Sequence, residues 1–243
     1  MEIKGFIENS LLEWEGRLAC VVFVAGCNLR CRYCHAGYLL EGRMIETVPT
    51  EQVLDYLRRQ HGWIDGLVVT GGEPTLQGQD LLDFITQVRS LGVDVMVETN
   101  GTRPDWVDRL IGEKWIQAIS MDLKAPLTGE RYRPVTGRDV DVADLRRSVR
   151  RIIDSGIEHE FRITVVPGLI GRDELVAMAP ELEGACRVAL QNFQPSHCLD
   201  PALRSVEPYM PEEMDELGRI LDPVAQKVVV RGRERALAVR GEG

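Results

Sequence analysis

The strongest constraint on the fold is a regular alternation of short, β-branched apolar segments with longer segments of helical periodicity. Seven strands are predicted, at Ala19–Val24, Gly66–Thr70, Val93–Glu98, Ala118–Asp122, Glu160–Val166, Arg187–Phe193 and Lys227–Val230. Six helices are predicted between them, at Glu51–Gln60, Asp80–Leu91, Pro104–Ile111, Val142–Ser155, Asp173–Glu181 and Pro211–Leu221. This alternation is typical of βαβ units and predicts an α/β fold with a largely parallel sheet.

The number of these units indicates whether the sheet closes into a complete barrel. Six or seven βα units in 243 residues are fewer than the eight of a closed barrel. We therefore expect an open, partial (β/α)6 barrel of the TIM-like kind, forming a single domain over residues 1–243. Residues 1–18 are expected to be a lead-in, and the charged, glycine-containing segment 231–243 a frayed tail.

The composition indicates a soluble protein and argues against membrane and nucleic-acid partners. Apolar residues make up 44% of the chain and charged residues 28%, which is ordinary for a soluble globular protein. The longest apolar stretch, Leu18–Cys27, is far shorter than the ~20 residues that span a membrane. Charges at Glu2, Lys4 and Glu8 do not fit a signal peptide, so we expect a cytoplasmic protein with no membrane partner. A net charge of −9 argues against nucleic-acid binding.

Three cysteines follow the first predicted strand with the spacing C-x3-C-x2-C, at Cys27, Cys31 and Cys34. A [4Fe–4S] cluster normally has four Cys ligands. Three thiolates would leave one iron open to another ligand, which suggests chemistry rather than electron storage alone. A structural zinc site needs a fourth ligand, and His35 directly follows Cys34, where reaching the same metal would be strained. The spacing therefore favours an iron–sulfur cluster over a zinc site.

Polar residues also follow most of the other predicted strands, where each strand ends. These strand ends are Thr70–Pro74, Glu98–Gly101, Asp122–Lys124, Arg162–Gly168 and Gln191–His197. In parallel α/β folds ligands bind at the carboxyl ends of the strands. Each segment alone could be an ordinary turn or a solvated surface. Together they predict one polar site beside the cysteines, where Gly71 and Gly72 would let the backbone approach a ligand closely.

These motifs resemble those of the radical S-adenosylmethionine (SAM) enzymes. The combination of Cys27–Cys34 with Gly71–Pro74 is highly specific for that superfamily. The likeness runs from Gly5–Phe6 to Leu190–Pro201, and within the superfamily the chain is most similar to the activating proteins of glycyl-radical enzymes. The branch that it resembles most is the anaerobic ribonucleoside-triphosphate reductase activating proteins, which are related to the pyruvate formate-lyase activating enzymes.

The resemblance implies a fold of the radical SAM type, two cofactors and their contacts. Cys27, Cys31 and Cys34 would ligate three irons of a [4Fe–4S] cluster and leave the fourth iron to the amino and carboxylate groups of SAM. The other implied contacts are Tyr33 and His197 at the adenine, Gly71, Gly72 and Glu73 at the methionine ammonium, Glu98 and Thr99 at the ribose, and Asp122, Lys124 and Arg162 near the methionine carboxylate.

Some of these implied roles have alternatives. Tyr33 could be a core residue, and Arg162 could form an inward salt bridge to Glu160 or Asp122. In the pyruvate formate-lyase activating enzyme a monovalent cation lies among such groups, and Glu98 stands where that enzyme has Asp. The longer side chain leaves two alternatives open, a retained cation site and a lost one.

The resemblance also implies a reaction and partners. The reduced cluster would cleave SAM to a 5′-deoxyadenosyl radical, which in an activating protein removes a hydrogen atom from a glycine of a partner enzyme. The implied partners are a glycyl-radical enzyme, with anaerobic ribonucleotide reductase as the first candidate, and a low-potential electron donor such as flavodoxin or ferredoxin. The alternative is a small-molecule radical SAM enzyme such as 7-carboxy-7-deazaguanine synthase. A non-catalytic electron-transfer or zinc module would need a fourth protein ligand and would not explain the polar strand ends.

Overall fold

A single eight-stranded sheet organises the protein, seen in a computed structural model that describes residues 1–40 and 46–232. Its strands are β1 (Ile3–Ser10), β2 (Ala19–Val24), β3 (Gly66–Gly71), β4 (Asp94–Thr99), β5 (Ala118–Asp122), β6 (Glu158–Val165), β7 (Ala185–Asn192) and β8 (Ala225–Arg231). They lie side by side in chain order, with β2 to β8 parallel and β1 antiparallel to β2. No pairing joins β1 to β8 within the described ranges, so the predicted open barrel is confirmed.

Helices cross from each parallel strand to the next. They are α1 (Thr50–Arg59), α2 (Gln79–Ser90), α3 (Pro104–Gly112), α4 (Gly129–Thr136), α5 (Val142–Ser155), α6 (Arg172–Met178) and α7 (Pro211–Arg219). Six crossovers connect the seven parallel strands, and the one between β5 and β6 contains both α4 and α5. In the part of the chain that the structure describes, no helix is long and apolar enough to cross a bilayer.

Three parts of the structure differ from the sequence prediction. The segment 1–18, predicted to be a lead-in, contains β1, whose half-exposed residues lack the apolar run of the central strands. The helix α4 was not predicted because Pro134 lies inside it, and proline is unfavourable there. Arg231, placed in the predicted tail, belongs to β8. The remainder of that tail, after residue 232, lies outside the described residues.

Alternate residues of the strands face two apolar layers. The outer layer lies between the sheet and the helices and forms the larger core. The inner layer fills the amino end of the barrel with Trp14, Ala19, Val21, Val68, Met96 and Ala118. Trp14 is 1% exposed, and its indole Nε1 donates a hydrogen bond to Glu158 at 2.9 Å. Because side chains fill this end, the larger space for a ligand lies at the carboxyl ends of the strands.

His159 on β6 is a buried side chain that links stability to pH. Its Nδ1 lies 2.8 Å from the Ile157 carbonyl, and its Nε2 accepts a hydrogen bond from the Cys186 amide at 3.0 Å. One nitrogen must therefore donate while the other accepts, which only the neutral imidazole can do. Burial lowers the pKa of His159 below its ordinary value of 6.5, although the hydrogen bond to Ile157 acts to raise it.

We expect this histidine to destabilise the fold in mild acid. Its pKa is lower in the folded chain than in the unfolded chain, so its contribution is complete above pH ~6.5 and is lost as the pH falls through the folded value. The free energy of unfolding should fall by up to about 1.4 kcal/mol per pH unit for this one group. Urea titrations from pH 7.5 to 5 measure it. The slope should be shallower in His159→Gln and unchanged in His61→Gln, an exposed control; equal slopes in all three proteins would contradict the assignment.

Candidate active site

The carboxyl ends of the parallel strands surround a cavity of about 350 Å3. The loop 27–34, which we call the cysteine loop, forms part of its wall. Predicted site residues in the lining are Cys27, Cys31, Tyr33, Cys34, Gly71, Gly72, Asp122, Lys124 and Arg162. Predicted site residues outside the lining are Glu73, Glu98, Thr99 and His197. The cavity therefore brings together the cysteines and the polar strand ends that the sequence placed at one edge.

The cysteine loop is fixed on one side by α4. The amides of Arg30 and Arg32 donate hydrogen bonds to the carbonyls of Thr136, at 2.7 Å, and Val135, at 3.0 Å, at the end of this helix. Gly137 follows with a φ of +63°, and a side chain there would come within 2.9 Å of the Arg30 carbonyl. A helix that the sequence did not reveal thus positions the three-cysteine motif.

The segment 198–200, which follows β7, fixes the other side of the cysteine loop. The amides of Leu199 and Asp200 donate to the carbonyls of Cys34, at 3.1 Å, and Arg32, at 2.9 Å. The Asp200 carboxylate also accepts a hydrogen bond from Arg32 Nε at 2.7 Å. The loop that carries the three thiols is therefore hydrogen-bonded on both flanks.

The three thiols of the loop fit an iron–sulfur cluster. Burial raises the pKa of Cys31 to about 12, against the opposing effect of Lys124, and also raises the pKa of Cys27. Metal binding supplies the positive charge that holds such cysteines as thiolates. In the described residues no three His, Cys, Asp or Glu side chains converge on one metal position. A four-iron cube does not require this, because each thiolate binds a different iron, and a shared cavity suffices.

The other three cysteines lie away from the cavity lining. Cys20 is fully buried on β2, where its thiol donates to the Glu8 carbonyl at 3.1 Å and burial raises its pKa to about 12. Cys198 is also buried, with its thiol 3.1 Å from the Gln194 carbonyl. Cys20 and Cys198 therefore make the contacts of small core residues.

Gly71 and Gly72 are required by the packing of β3 against β2. Gly71 has a φ of +115°, and a Cβ there would lie 2.5 Å from the Val24 amide nitrogen. A Cβ on Gly72 would lie 1.8 Å from the carbonyl oxygen of Gly26, the residue before Cys27. Both glycines also line the cavity. The structure shows a close approach of the backbone to the neighbouring strand end, and a close approach to a ligand stays a prediction.

Glu73 lies behind the cavity wall and is 0% exposed. Its carboxylate accepts hydrogen bonds from the Asn100 amide at 2.7 Å, from Thr99 Oγ1 at 2.7 Å, and from the amide and hydroxyl of Thr75 at 3.1 and 2.6 Å. Burial raises the pKa of Glu73, and these hydrogen bonds partly offset the effect. The carboxylate ties the end of β3 to the end of β4, and direct SAM contacts of Glu73 and Thr99 stay predictions.

Four charged side chains alternate in sign along the inside of the barrel. Arg162 donates two hydrogen bonds to Glu98, Nη1 to Oε1 at 2.7 Å and Nη2 to Oε2 at 2.6 Å. Its Nε donates to Asp122 Oδ1 at 3.2 Å, and Lys124 Nζ lies 2.9 Å from Asp122 Oδ2. Thr70 Oγ1 adds a hydrogen bond to Glu98 Oε2 at 2.5 Å. We call the four charged residues, Glu98, Arg162, Asp122 and Lys124, the charge array.

Asp122, Lys124 and Arg162 of the charge array are held in their charged forms at neutral pH. Burial acts to raise the pKa of Asp122, but Lys124 and Arg162 lower it to about 2. Asp122 in turn raises the pKa of Lys124 well above its ordinary value, against the effect of burial. The inward salt bridge from Arg162 to Asp122 is confirmed. Glu160 pairs instead with Arg231, through two contacts of 2.9 Å.

Tyr33 leaves a polar atom for a ligand. The residue is 4% exposed and lines the cavity, and its hydroxyl has no hydrogen-bond partner within the described ranges. A buried hydroxyl without a partner is costly. The core-packing alternative explains its burial, whereas the unpaired oxygen fits a bound polar molecule such as SAM.

The structure also identifies site residues that the sequence did not single out. Asn100 lines the cavity, and its Nδ2 donates to Asn28 Oδ1 at 2.9 Å and lies 3.9 Å from Cys27 Sγ. Thr164, Gln191 and Asn192 line it from β6 and β7. In the sequence, these four residues are marked by their position at the ends of predicted strands.

His197 is not brought to the cavity. It is exposed, has a φ of +67° and lies outside the lining. His35 lines the cavity instead, with Nδ1 3.3 Å from the Ser196 carbonyl. An adenine contact by His197 stays a prediction.

Comparison with known proteins places this site in a family. Residues 21–178 match the Radical SAM superfamily. A Methanocaldococcus jannaschii protein, named "Putative glycyl-radical enzyme activating enzyme", is 27% identical over 94% of this chain and 95% of its own. The 7-carboxy-7-deazaguanine synthase of Koribacter versatilis is 29% identical over 74% of this chain and 76% of its own. The pyruvate formate-lyase-activating enzyme of Streptococcus mutans is 28% identical over 63% and 61%, respectively.

Among solved structures, SuiB of Streptococcus suis, bound to precursor peptide SuiA, has a similar fold. The TM-score is 0.67 over 87% of this chain, with 13% sequence identity, and the match spans 48% of the SuiB chain. At that identity the likeness concerns the fold alone. The family match covers more than half of the chain, including the cysteine loop and the ends of β3, β4 and β5. The chain is therefore a member of the radical SAM superfamily, an enzyme that uses a [4Fe–4S] cluster and SAM.

Proposed function

We propose that this protein is an activating enzyme that generates a glycyl radical on a partner enzyme, with anaerobic ribonucleoside-triphosphate reductase as the first client to test. The observation that carries the proposal is the likeness to the M. jannaschii relative over 94% of this chain. That likeness continues beyond residue 178, where the superfamily match ends. The pyruvate formate-lyase-activating relative supports the same class of reaction.

In this proposal the cysteine loop holds the cluster through Cys27, Cys31 and Cys34. When bound, the cluster and SAM supply the radical that removes a hydrogen atom from the client glycine. Lys124 and Arg162 present positive charge to the cavity and suit the carboxylate of SAM. The Tyr33 hydroxyl is available to a polar group of the nucleoside.

The charge array fixes the charges of this site before SAM binds. Its members are largely buried, and each is held by at least one partner of opposite charge. Fixed charges in a site shielded from water orient a ligand without further rearrangement. The proposed external partner for reduction is a low-potential carrier such as flavodoxin or ferredoxin, in the cytoplasm.

Electron paramagnetic resonance on a reconstituted pair tests the proposal. Anaerobic protein with a full cluster is reduced and given SAM, with or without the reductase. We expect little 5′-deoxyadenosine without the client, rapid formation with it, and a glycine-centred radical on the client. Client Gly→Ala should remove the radical, and Cys31→Ala of this chain should remove both signals. A reductase that stays without a radical while SAM is cleaved would contradict this client.

A second candidate is 7-carboxy-7-deazaguanine synthase, favoured by the K. versatilis relative that matches 74% of the chain. The same preparation is therefore offered 6-carboxytetrahydropterin. Product formation over many turnovers, with no radical on any reductase tested, would assign the protein to this small-molecule reaction instead.

A further inference from the structure

We infer that this enzyme binds SAM without a monovalent cation, because Arg162 occupies the position between the two acidic residues that would hold one. Glu98 and Asp122 are the carboxylates of the charge array. The inference concerns only the protein, its cluster and SAM, so it is independent of the proposed client.

The carboxylate oxygens of the array are already satisfied by the protein. Both oxygens of Glu98 accept hydrogen bonds from the Arg162 guanidinium, at 2.7 and 2.6 Å, and one also accepts from Thr70 at 2.5 Å. Asp122 Oδ1 accepts from Arg162 at 3.2 Å, and Oδ2 lies 2.9 Å from Lys124 Nζ. All four carboxylate oxygens of Glu98 and Asp122 therefore have donors from the protein, and these two carboxylates do not fit a bound cation.

The strand register explains how one guanidinium reaches both carboxylates. Glu98 lies opposite Ser120 in the pairing of β4 with β5, and Asp122 lies opposite Arg162 in the pairing of β5 with β6. Arg162 thus contacts Asp122 on the adjacent strand and crosses β5 inside the barrel to reach Glu98. Ser120 is a small residue at this crossing and is 1% exposed. The longer side chain of Glu98, compared with Asp, favours a paired contact with both guanidinium nitrogens.

The charges of the array sum to zero without a metal. Two carboxylates are matched by one guanidinium and one ammonium group, all largely buried. A guanidinium stays protonated at every pH that the protein survives. Its charge is therefore always present, whereas a bound cation is present only in proportion to its concentration and affinity.

Removing the guanidinium should create the cation site that the native chain lacks. In Arg162→Met, Glu98 and Asp122 would face each other across a space without a positive charge. Sodium or potassium could then occupy that space. Besides presenting its charge to the cavity, Arg162 thus also acts on SAM indirectly, by holding Glu98 and Asp122 in place.

Titration of SAM into the reduced holoenzyme tests the inference, with the change in the cluster's electron paramagnetic resonance spectrum as the measure of binding. The buffers contain sodium, potassium or tetramethylammonium at equal ionic strength, the last being too large for the site. We expect dissociation constants of the native protein to agree within about twofold in all three buffers. A native protein that loses about tenfold or more in affinity in tetramethylammonium would overturn the inference.

Two variants sharpen the test. Arg162→Met should lose about tenfold or more in SAM affinity in tetramethylammonium and regain most of it in sodium or potassium. The double variant Glu98→Ala with Arg162→Met should not be rescued by either ion. Iron content and circular dichroism establish that each variant is folded, and if Arg162→Met does not fold, the native titration alone decides. A folded Arg162→Met that binds SAM as tightly as the native protein in tetramethylammonium would also overturn the inference.

Discussion

Cys31→Ala is expected to reduce the iron content of the anaerobically reconstituted protein from about four atoms per chain to less than one. Its thiol is buried in the cavity wall, and the two other thiols of the cysteine loop, Cys27 and Cys34, are already assigned to other irons. Cys27→Ala and Cys34→Ala should have the same effect. Because cleavage of SAM requires the cluster, 5′-deoxyadenosine formation should be lost with it. Iron and sulfide analysis, together with the visible absorption of the cluster, measures the result.

The three remaining cysteines supply the matched controls. Cys20→Ala, Cys186→Ala and Cys198→Ala should each retain a full cluster, because none of these residues lines the cavity. Cys198 is the most stringent of them, since its thiol lies 3.9 Å from the carbonyl of Tyr33 in the cysteine loop. A full cluster after loss of Cys31, or its loss in Cys198→Ala at unchanged thermal stability, would contradict the ligand assignment.

Gly72→Ala is expected to destabilise the protein by about 3 kcal/mol or more and to impair cluster assembly. The new Cβ would lie 1.8 Å from the Gly26 carbonyl oxygen and 2.6 Å from its carbonyl carbon. That oxygen accepts a hydrogen bond from the Glu73 amide at 2.7 Å, so it has no free direction in which to move. Relief of the clash must displace residue 26, and Cys27 follows it directly. Urea unfolding of the apoprotein and iron content after reconstitution measure the two effects.

Gly129→Ala is the matched control for this substitution. Gly129 is the first residue of α4, and a Cβ there would meet nothing within 4 Å. We expect a change of less than about 0.5 kcal/mol and a full cluster. If Gly72→Ala were as stable as this control and bound as much iron, then the close packing of β3 on β2 would not control the cysteine loop.

The parallel core of this fold could be predicted from the sequence because its central strands, β2 to β5, are largely buried on both faces. The strand β5, at Ala118–Asp122, and the helix α5, at Val142–Ser155, have the predicted bounds. The elements that were missed lack such signals, since β1 is a half-exposed edge strand and α4 contains Pro134. Tertiary contacts stabilise both elements, and these contacts are not encoded in local periodicity.

The position of the site could be predicted, whereas the direction of several of its side chains could not. Position at a strand end can be read from the local sequence. It correctly predicted that the cysteines, Gly71, Asp122, Lys124 and Arg162 lie at one cavity. The orientation of Glu73 depends on donors from another strand, namely Thr99 and Asn100. Glu98 is likewise turned toward Arg162 by an ion pair across the barrel. Such partners are distant in sequence and become evident only when the barrel is assembled.

The flanks of the cysteine loop bear on the order of events during the protein's biosynthesis. Arg30 and Arg32 are held by carbonyls of residues 135 and 136, and Cys34 by the amide of Leu199. A nascent chain that has emerged only as far as β5 contains all three thiols. It lacks both segments that hold the cysteine loop, at residues 135–136 and at Leu199. At that stage the cysteine loop would lack the hydrogen bonds that hold it, and its three thiols would not be fixed in position for a cluster. Maturation with iron and sulfide should therefore follow release from the ribosome, when the last third of the polypeptide has folded against the first.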